Sequence, residues 1–185
     1  MGYCPLVPTC SLGTFVFVVG HDRAGKSTAA RIIGEELDLP VVDLGDALRE
    51  LQRHRPDLPA DPSQALEILL GERPMLAIDI VERTSQPNVI ITGVRDPKTL
   101  ADLTELRTGR VVIAIAATLA ARSDRPERQE IRESLAERDK RHRAWGLDAV
   151  LAAAEISIEN DGSLGDFENI VRRDVAPSVE KRLTR

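Results

Sequence analysis

The sequence predicts an α/β fold of three layers, in which helices flank a five-stranded parallel sheet. Three observations lead to this prediction. Continuously apolar, β-branched segments such as residues 15–19 are typical of parallel strands that are covered on both faces. These segments alternate with segments of helical periodicity, which is the pattern of a parallel sheet with crossover helices. A glycine-rich segment at residues 20–27 joins the first predicted strand to the first predicted helix.

Each predicted element follows from its residue pattern. The predicted strands share a short apolar, β-branched centre and lie at residues 15–19, 40–44, 89–93, 111–116 and 156–158. The predicted helices share apolar residues at helical spacing and lie at residues 26–37, 45–50, 62–70, 74–84, 97–106, 147–154 and 164–171. At 185 residues the chain is long enough to bury a sizeable core and is expected to form one main domain.

The main domain is predicted to cover residues 14–174. Residues 1–13 include Pro5, Pro8 and Gly13 and show no periodicity, so we expect a flexible tail there. Residues 175–185 are polar and are predicted to form a C-terminal extension. Between Arg122 and Arg143, eight basic and six acidic residues give a local charge of +2. This change of character predicts a separate arginine-rich segment at about residues 119–143.

Composition narrows the classes of function. The net charge is -5 and the pI about 5.3, so the surface as a whole gives no electrostatic reason to bind nucleic acid. Cys4 and Cys10 have no further metal ligands nearby, and we interpret them as incidental thiols in a reducing compartment. The apolar run at residues 15–19 is too short to span a membrane. We therefore expect a cytoplasmic protein with neither a nucleic-acid nor a membrane partner.

Residues 20–27 carry the pattern Gly-x-x-x-x-Gly-Lys-Ser, which is typical of a phosphate-binding loop, or P-loop. Backbone N–H groups must curl around a polyphosphate, and Gly20 and Gly25 supply the positive φ or close approach that this needs. Lys26 would reach the terminal phosphates, Ser27 would ligate Mg²⁺, and the helix dipole would favour the same negative charge. The candidate phosphate-binding residues are Gly20, Asp22, Ala24, Gly25, Lys26, Ser27 and Thr28.

The loop residues 20–28, Gly-His-Asp-Arg-Ala-Gly-Lys-Ser-Thr, resemble the phosphate loop of thymidylate kinases in the superfamily of P-loop nucleotide kinases. This resemblance implies a P-loop NTPase fold, with ATP and Mg²⁺ as cofactors and a small-molecule nucleotide as substrate. It also implies that Asp22 faces the acceptor nucleotide and that Arg23 contacts the transferring phosphoryl group.

Two further segments resemble the acceptor sites of nucleotide kinases. Residues 43–50 look like the segment of adenylate-kinase-like enzymes in which Gly-Asp-x-x-Arg opens a helix, which assigns Asp46 and Arg49 to the acceptor. Residues 89–96 are similar to a strand-Asp-Gly-x-Arg pattern of nucleotide kinases, which assigns Arg95 to the acceptor phosphate. Thr92 stands where that pattern has an acidic residue, so Asp43 or Asp46 is the candidate to assist Mg²⁺ in its place.

The arginine-rich segment has a role to fill in a kinase. Phosphoryl transfer is catalysed mainly by positioning and by neutralising charge on the transferring oxygens, and an arginine-bearing lid would do both while excluding water. Arg122 and Arg125 stand nearest the end of the preceding predicted strand. They are therefore the candidates in the lid for catalytic contact with phosphates, alongside Lys26 and Arg23.

Residues 137–167 resemble the end of archaeal dephospho-coenzyme-A-kinase-like and adenylate-kinase-like proteins. Taken together, the resemblances imply an ATP-dependent phosphotransferase of the nucleoside monophosphate kinase type. Two alternatives stay open: a dephospho-coenzyme-A-kinase-like enzyme, and an ATP-binding regulator without catalysis, for which Thr92 is the motive. The apolar helix predicted near residues 75–81 suits either the core or a homodimer face.

Overall fold

The computed structural model describes residues 11–47, 86–126 and 133–184, together with residues 50, 57, 59 and 64. Its strands form one parallel sheet in the order β2-β3-β1-β4-β5. The strands are β1 (Ser11–Gly20), β2 (Val41–Asp43), β3 (Val89–Thr92), β4 (Arg107–Ala116) and β5 (Ile156–Glu159). The predicted α/β class and five-stranded parallel sheet are confirmed.

Helices cover both faces of this sheet. They are α1 (Lys26–Leu37), α2 (Pro97–Thr104), α3 (Leu119–Ser123), α4 (Leu135–Ala144), α5 (Leu147–Ala152), α6 (Leu164–Ile170) and α7 (Ala176–Leu183). Residues 44–47 are helical as well. The helices predicted at residues 62–70 and 74–84 lie outside the described residues, as does Arg49.

The apolar run of β1 is buried on both sides, as its sequence indicates. Val16 and Val18 point into one core layer and Phe15, Phe17 and Val19 into the other. The first layer is closed by apolar residues of α1, α6 and α7 and the second by those of α2 and α5. This central strand is therefore packed on both faces, and the loop that follows begins at its well-packed carboxyl end, Gly20.

Two strands begin earlier in the chain than predicted. β1 begins at Ser11 and β4 at Arg107, and these two residues are paired in the sheet. The pairing brings residues 11–13, which the sequence assigns to a tail, into the sheet, while residues 1–10 lie outside the described part of the chain. Mutual hydrogen bonding between neighbouring strands extends both of them beyond their apolar centres.

The C-terminal helices form one continuous rod with a wide turn in its middle. Residues Val171–Val175 between α6 and α7 are π-helical, and the N–H of Ala176 donates to the carbonyl of Val171. Pro177 follows at once; it lacks an N–H and its ring would clash with the carbonyl four residues earlier, which accounts for the wider turn. Val175 and Val179 are buried in the core, so the predicted extension contributes to the domain.

All five strands are parallel, so their carboxyl ends meet at one edge of the sheet. The loop after β1, the helical residues after β2, the segment around Arg95 after β3 and Asn160 after β5 all lie at this edge. Ligands bind at this edge in open α/β sheets. The predicted site residues are thereby gathered from distant parts of the chain.

Candidate active site

The loop between β1 and α1 depends on its two glycines. Gly20 has φ of 155°, and a Cβ there would lie 2.5 Å from the carbonyl oxygen of Ile115. Gly25 has φ of 110°, and a Cβ there would lie 2.4 Å from Nδ2 of Asn160. Both positions therefore require glycine for conformation and for space.

Helix α1 begins immediately after Gly25. Within the described residues no side chain caps its N-terminus, so the amides of its first turn are available to a ligand, and the helix dipole favours a negative one. Ala24 is fully buried beneath the loop, whereas Ser27 is exposed at the start of the helix. This is the local geometry of an anion-binding loop.

Asp22 is the centre of a partly buried charge cluster. Its carboxylate lies 3.3 Å from Nη2 of Arg95, 3.3 Å from Nη1 of Arg138 and 3.9 Å from Nζ of Lys26. Burial by itself raises the pKa of the Asp22 carboxyl, but the charges of Arg95 and Lys26 outweigh burial and hold that pKa well below its usual range. Asp22 is therefore an anion held among three cations.

Lys26 has two interactions within the loop. Its Nζ donates to the carbonyl oxygen of His21 at 2.7 Å and faces Asp22. Burial, the largest influence, lowers the pKa of Lys26 to about 8, although the charge of Asp22 opposes that shift. Lys26 therefore changes its charge much closer to neutral pH than an exposed lysine does.

Helix α4 brings two polar residues, Arg138 and Asp139, into contact with the loop. A capping box of Ser134 and Glu137 begins the helix, and Arg138, Asp139 and His142 lie on its buried face. Oδ1 of Asp139 lies 3.2 Å from Nδ1 of His21, and both of its oxygens accept hydrogen bonds from Arg122. The segment predicted as a lid is thus packed against the loop where the structure describes it.

His142 is fully buried, and neither of its ring nitrogens has a hydrogen-bond partner among the described residues. Its ring lies 5.4 Å from that of Trp145. Burial and the nearby charge of Arg95 lower the pKa of His142 to about 3, so the ring is neutral at pH 7.

Arg122 and Arg125, predicted to contact phosphates, have backbone partners here. Arg122 donates to the carbonyl oxygen of Asp22, and Arg125 donates to those of Arg23 and Asn160. Arg23, predicted to contact the transferring phosphoryl group, donates to the carbonyl oxygen of Ser123 at 2.9 Å. The three arginines thus link the loop to the segment around α3.

The β2–β3 side of the site holds the candidate metal ligands. The hydroxyl of Thr92 donates to Oδ2 of Asp43 at 2.7 Å, and Oδ1 of Asp43 accepts from the amides of Gly45 and Asp46. An open cleft of about 650 Å³ is lined by Ser27, Asp43, Asp46 and Thr92 among others. In the described part of the chain no three His, Cys, Asp or Glu residues cluster as a metal site.

The structure brings together most of the residues predicted for the site. Asp22 and Arg95 are in direct contact, and Ser27, Asp43 and Asp46 line one cleft. Sequence reasoning missed Arg138, Asp139 and Asn160. For Asn160 a signal existed, because it directly follows a predicted strand and the carboxyl ends of parallel strands share one edge. Arg138 and Asp139 could not be separated from the other charges of their segment.

No helix in the described part of the chain has the length and apolar character needed to cross a membrane. No family model matches the sequence.

Solved structures of kinases share the fold. Shikimate kinase from Bacteroides thetaiotaomicron aligns with a TM-score of 0.59 at 16% identity, over 90% of this chain and 98% of that one. Shikimate kinase from Aquifex aeolicus aligns with a TM-score of 0.55 at 16% identity, over 90% of this chain and 96% of the other. At such identities the likeness concerns the fold alone, which is that of the P-loop kinases.

Curated relatives come from archaea. A UPF0200/UPF0201 protein of Archaeoglobus fulgidus is 29% identical over 84% of this chain, which spans only 53% of that relative's length. A UPF0200 protein of Methanoregula boonei is 32% identical over 177 residues, covering 89% of this chain and 96% of the relative. With this identity over nearly the whole of both proteins, the chain belongs to the UPF0200 protein family.

Proposed function

We propose that this protein is a kinase that transfers the terminal phosphoryl group of ATP, with Mg²⁺, to a nucleotide or nucleotide-like small molecule. One observation carries the proposal. Lys26, Arg95 and Arg138 all lie between 3.3 and 3.9 Å from the carboxylate of Asp22, in the loop before α1. These cations lie beside the uncapped amides at the start of α1, and a polyphosphate is the ligand that would interact with both.

The residues at the loop suit Mg-ATP. Lys26 and the loop amides would bind its phosphates, and Ser27 with Asp43 would hold Mg²⁺ in the cleft that both residues line. Magnesium in phosphoryl-transfer sites uses one or two protein ligands besides phosphates and water, so a single carboxylate and a hydroxyl are enough. When bound, the ion would neutralise charge on the phosphates. Arg23 at the loop is the proposed contact to the transferring group.

The acceptor would bind on the other side of Asp22. Arg95 presents a guanidinium at the end of β3, and Asp46 lies at the exposed rim of the cleft. Arg49, the remaining predicted acceptor residue, lies outside the described residues. A phosphate-bearing acceptor suits the positive charge of Arg95 and Arg138, which supports the nucleoside monophosphate class. A dephospho-coenzyme-A-like acceptor carries phosphate as well and stays the alternative.

A second candidate is an ATP-binding regulator without catalysis. Two features of Thr92 favour it. A threonine stands where the related pattern has a carboxylate, and its hydroxyl donates to one oxygen of Asp43, the carboxylate at the end of β2. Such a protein would bind ATP and leave every acceptor unchanged.

The test is transfer of label from [γ-³²P]ATP to a panel of nucleoside monophosphates, nucleosides and dephospho-coenzyme A, with products separated by charge. We expect a labelled nucleotide product. A labelled dephospho-coenzyme A product would select the alternative acceptor. ATP binding without any product, and without release of free phosphate, would contradict the kinase proposal and favour the regulator.

A further inference from the structure

We propose that Arg122, Arg125 and Asn160 act together as positioning residues that fix the peptide groups of the phosphate loop, and we call these three the carbonyl clamp. The proposal rests on the proposed function, because it concerns how the loop is prepared for a polyphosphate. It gives Arg122 and Arg125 a role different from the direct phosphate contact that the sequence predicts.

Three consecutive carbonyl groups of the loop each accept a hydrogen bond from one member of the clamp. Nη1 of Arg122 donates to the oxygen of Asp22 at 3.2 Å. Nη1 of Arg125 donates to the oxygen of Arg23 at 2.7 Å. Nδ2 of Asn160 donates to the oxygen of Ala24 at 2.8 Å. The donors lie 100, 102 and 136 positions further along the chain than their acceptors, so tertiary structure alone brings them together.

Fixing a carbonyl also fixes the next amide. The peptide group is planar and trans, so the C=O of one residue and the N–H of the next point in opposite directions. Holding the carbonyls of residues 22–24 outward therefore sets the N–H directions of residues 23–25. The amide of Ala24 closes the turn by donating to His21, while the carbonyl of Gly25 accepts from Ala29 within the helix. The loop is thus held in one shape before a ligand arrives.

Arg122 and Asn160 are themselves held rigidly. Arg122 is 3% exposed; its Nε donates to the oxygen of Ala117, and both oxygens of Asp139 accept from its two terminal nitrogens. Asn160 is 6% exposed, and its backbone N–H donates to the carbonyl of Ala116 at the end of β4.

Arg125, the third member of the carbonyl clamp, connects the phosphate loop to Asn160 at the end of β5. One terminal nitrogen of Arg125 donates to the carbonyl of Asn160 and the other to that of Arg23. A planar guanidinium with fixed donor directions makes such a bridge, whereas an ammonium does not reproduce it.

The partners of Arg122 favour positioning over phosphate contact. Its guanidinium makes hydrogen bonds to Ala117, Asp22 and both oxygens of Asp139, which occupy most of its donors. The carboxylate of Asp139 also offsets its charge. A phosphate would have to displace the buried carboxylate of Asp139 to contact Arg122. The hydrogen bond from Arg122 to the carbonyl of Asp22 requires no such displacement.

The experiment compares Asn160→Leu with wild type. This variant keeps the approximate size of the side chain, removes the donor to Ala24 and adds no charge beside the loop. Asp161→Asn is the matched control in the same turn, because Asp161 accepts from Thr118 and has no contact with the loop carbonyls in the described structure. Binding of ATP and of inorganic tripolyphosphate is measured by calorimetry, and the amide shifts of Arg23, Ala24 and Gly25 are measured by NMR.

We expect Asn160→Leu to weaken ATP and tripolyphosphate binding by the same factor, about tenfold, since one hydrogen bond is lost. The loop amide shifts should move, and kcat at saturating ATP should change by less than about threefold. The control should leave all of these unchanged. Arg125→Lys, which keeps the charge, should give the same pattern and provides a second test if Asn160→Leu fails to fold.

Unchanged affinity with unchanged amide shifts in both variants would overturn the clamp. So would a large loss of kcat with unchanged affinity, which is the signature of direct contact in the transition state. The proposed function fails separately: a wild-type protein that binds tripolyphosphate but phosphorylates no acceptor contradicts the kinase, whereas the clamp is still decided by affinity and shifts. Absence of any polyphosphate binding would overturn both.

Discussion

The arginines around the phosphate loop fall into two pairs that differ in their partners. Arg95 and Arg138 contact the carboxylate of Asp22, a single negative charge shared with Lys26. Arg122 and Arg125 instead donate to backbone carbonyls of the loop, and the charge of Arg122 is offset by Asp139. The first pair therefore contacts a carboxylate of the loop, while the second pair holds the loop backbone.

Proximity to a phosphate loop therefore does not make an arginine a phosphate ligand. The other partners of the arginine determine whether it can contact a phosphate. An arginine in contact with a shared carboxylate keeps surplus positive charge, whereas one that is bidentate to its own carboxylate and bonded to carbonyls has little charge or hydrogen-bonding capacity left.

The largest expected difference between the pairs is in stability. Arg122→Met leaves Asp139 buried without its bidentate partner and should lower the free energy of unfolding by about 3–5 kcal/mol. Arg95→Met leaves Asp22 with Arg138 and Lys26, so the loss should be about 1 kcal/mol. Urea unfolding monitored by circular dichroism measures both.

The double variant Arg122→Met/Asp139→Leu is the control, because it removes the buried charge together with its partner. Its stability should recover part of the loss seen in Arg122→Met. Equal losses for Arg122→Met and Arg95→Met would contradict the distinction between the two pairs.

The pH dependence of stability tests whether the ion pairs of Asp22 stabilise the protein. The pKa of this carboxyl is held well below the value near 4 of an unfolded chain. Asp22 therefore contributes stability above about pH 4 that is lost as the pH falls through its folded pKa. Asp22→Asn should cost on the order of 1–3 kcal/mol at pH 7 and less at pH 2.5. Unfolding free energies at both pH values check this, and a loss independent of pH would speak against an ion-pair role.

The smallest effect concerns the pH dependence of ATP binding. Burial lowers the pKa of Lys26 to about 8, so above that pH the free protein loses the ammonium that a phosphate needs. Affinity for ATP should fall by up to tenfold per pH unit above pH 8 and stay level below it. Calorimetry between pH 7 and 9.5 measures it. Lys26→Arg should remove this dependence, and a wild-type affinity that is level throughout would refute the role given to Lys26.

The fold and the phosphate loop were predictable because their signals are local. The apolar run of β1, the loop glycines and the start of α1 are adjacent in sequence, and each pattern has one physical reading. The edge at which Asp43, Arg95 and Asn160 meet follows from parallel topology. Residues that directly follow a predicted strand are therefore candidates for the site on the basis of sequence alone.

The partners of the arginines were not predictable in the same way. Arg122 and Arg125 lie in a segment with many charges, and a long guanidinium side chain reaches several acceptors from one backbone position. Which acceptor it meets depends on how α3 and α4 pack on the loop, about 100 residues away in sequence. The wide turn at residues 171–175 likewise results from a single proline within a long helix.

The proposed binding of ATP by the loop for phosphoryl transfer is best tested with Lys26→Ala. The measurement is label transfer from [γ-³²P]ATP to the accepted substrate at saturating concentrations, compared with wild type and with Lys98→Ala, an exposed lysine paired with Asp102. We predict a loss of about three orders of magnitude or more for Lys26→Ala, equivalent to about 4 kcal/mol, and none for Lys98→Ala. A Lys26→Ala protein with near-normal transfer would contradict the account.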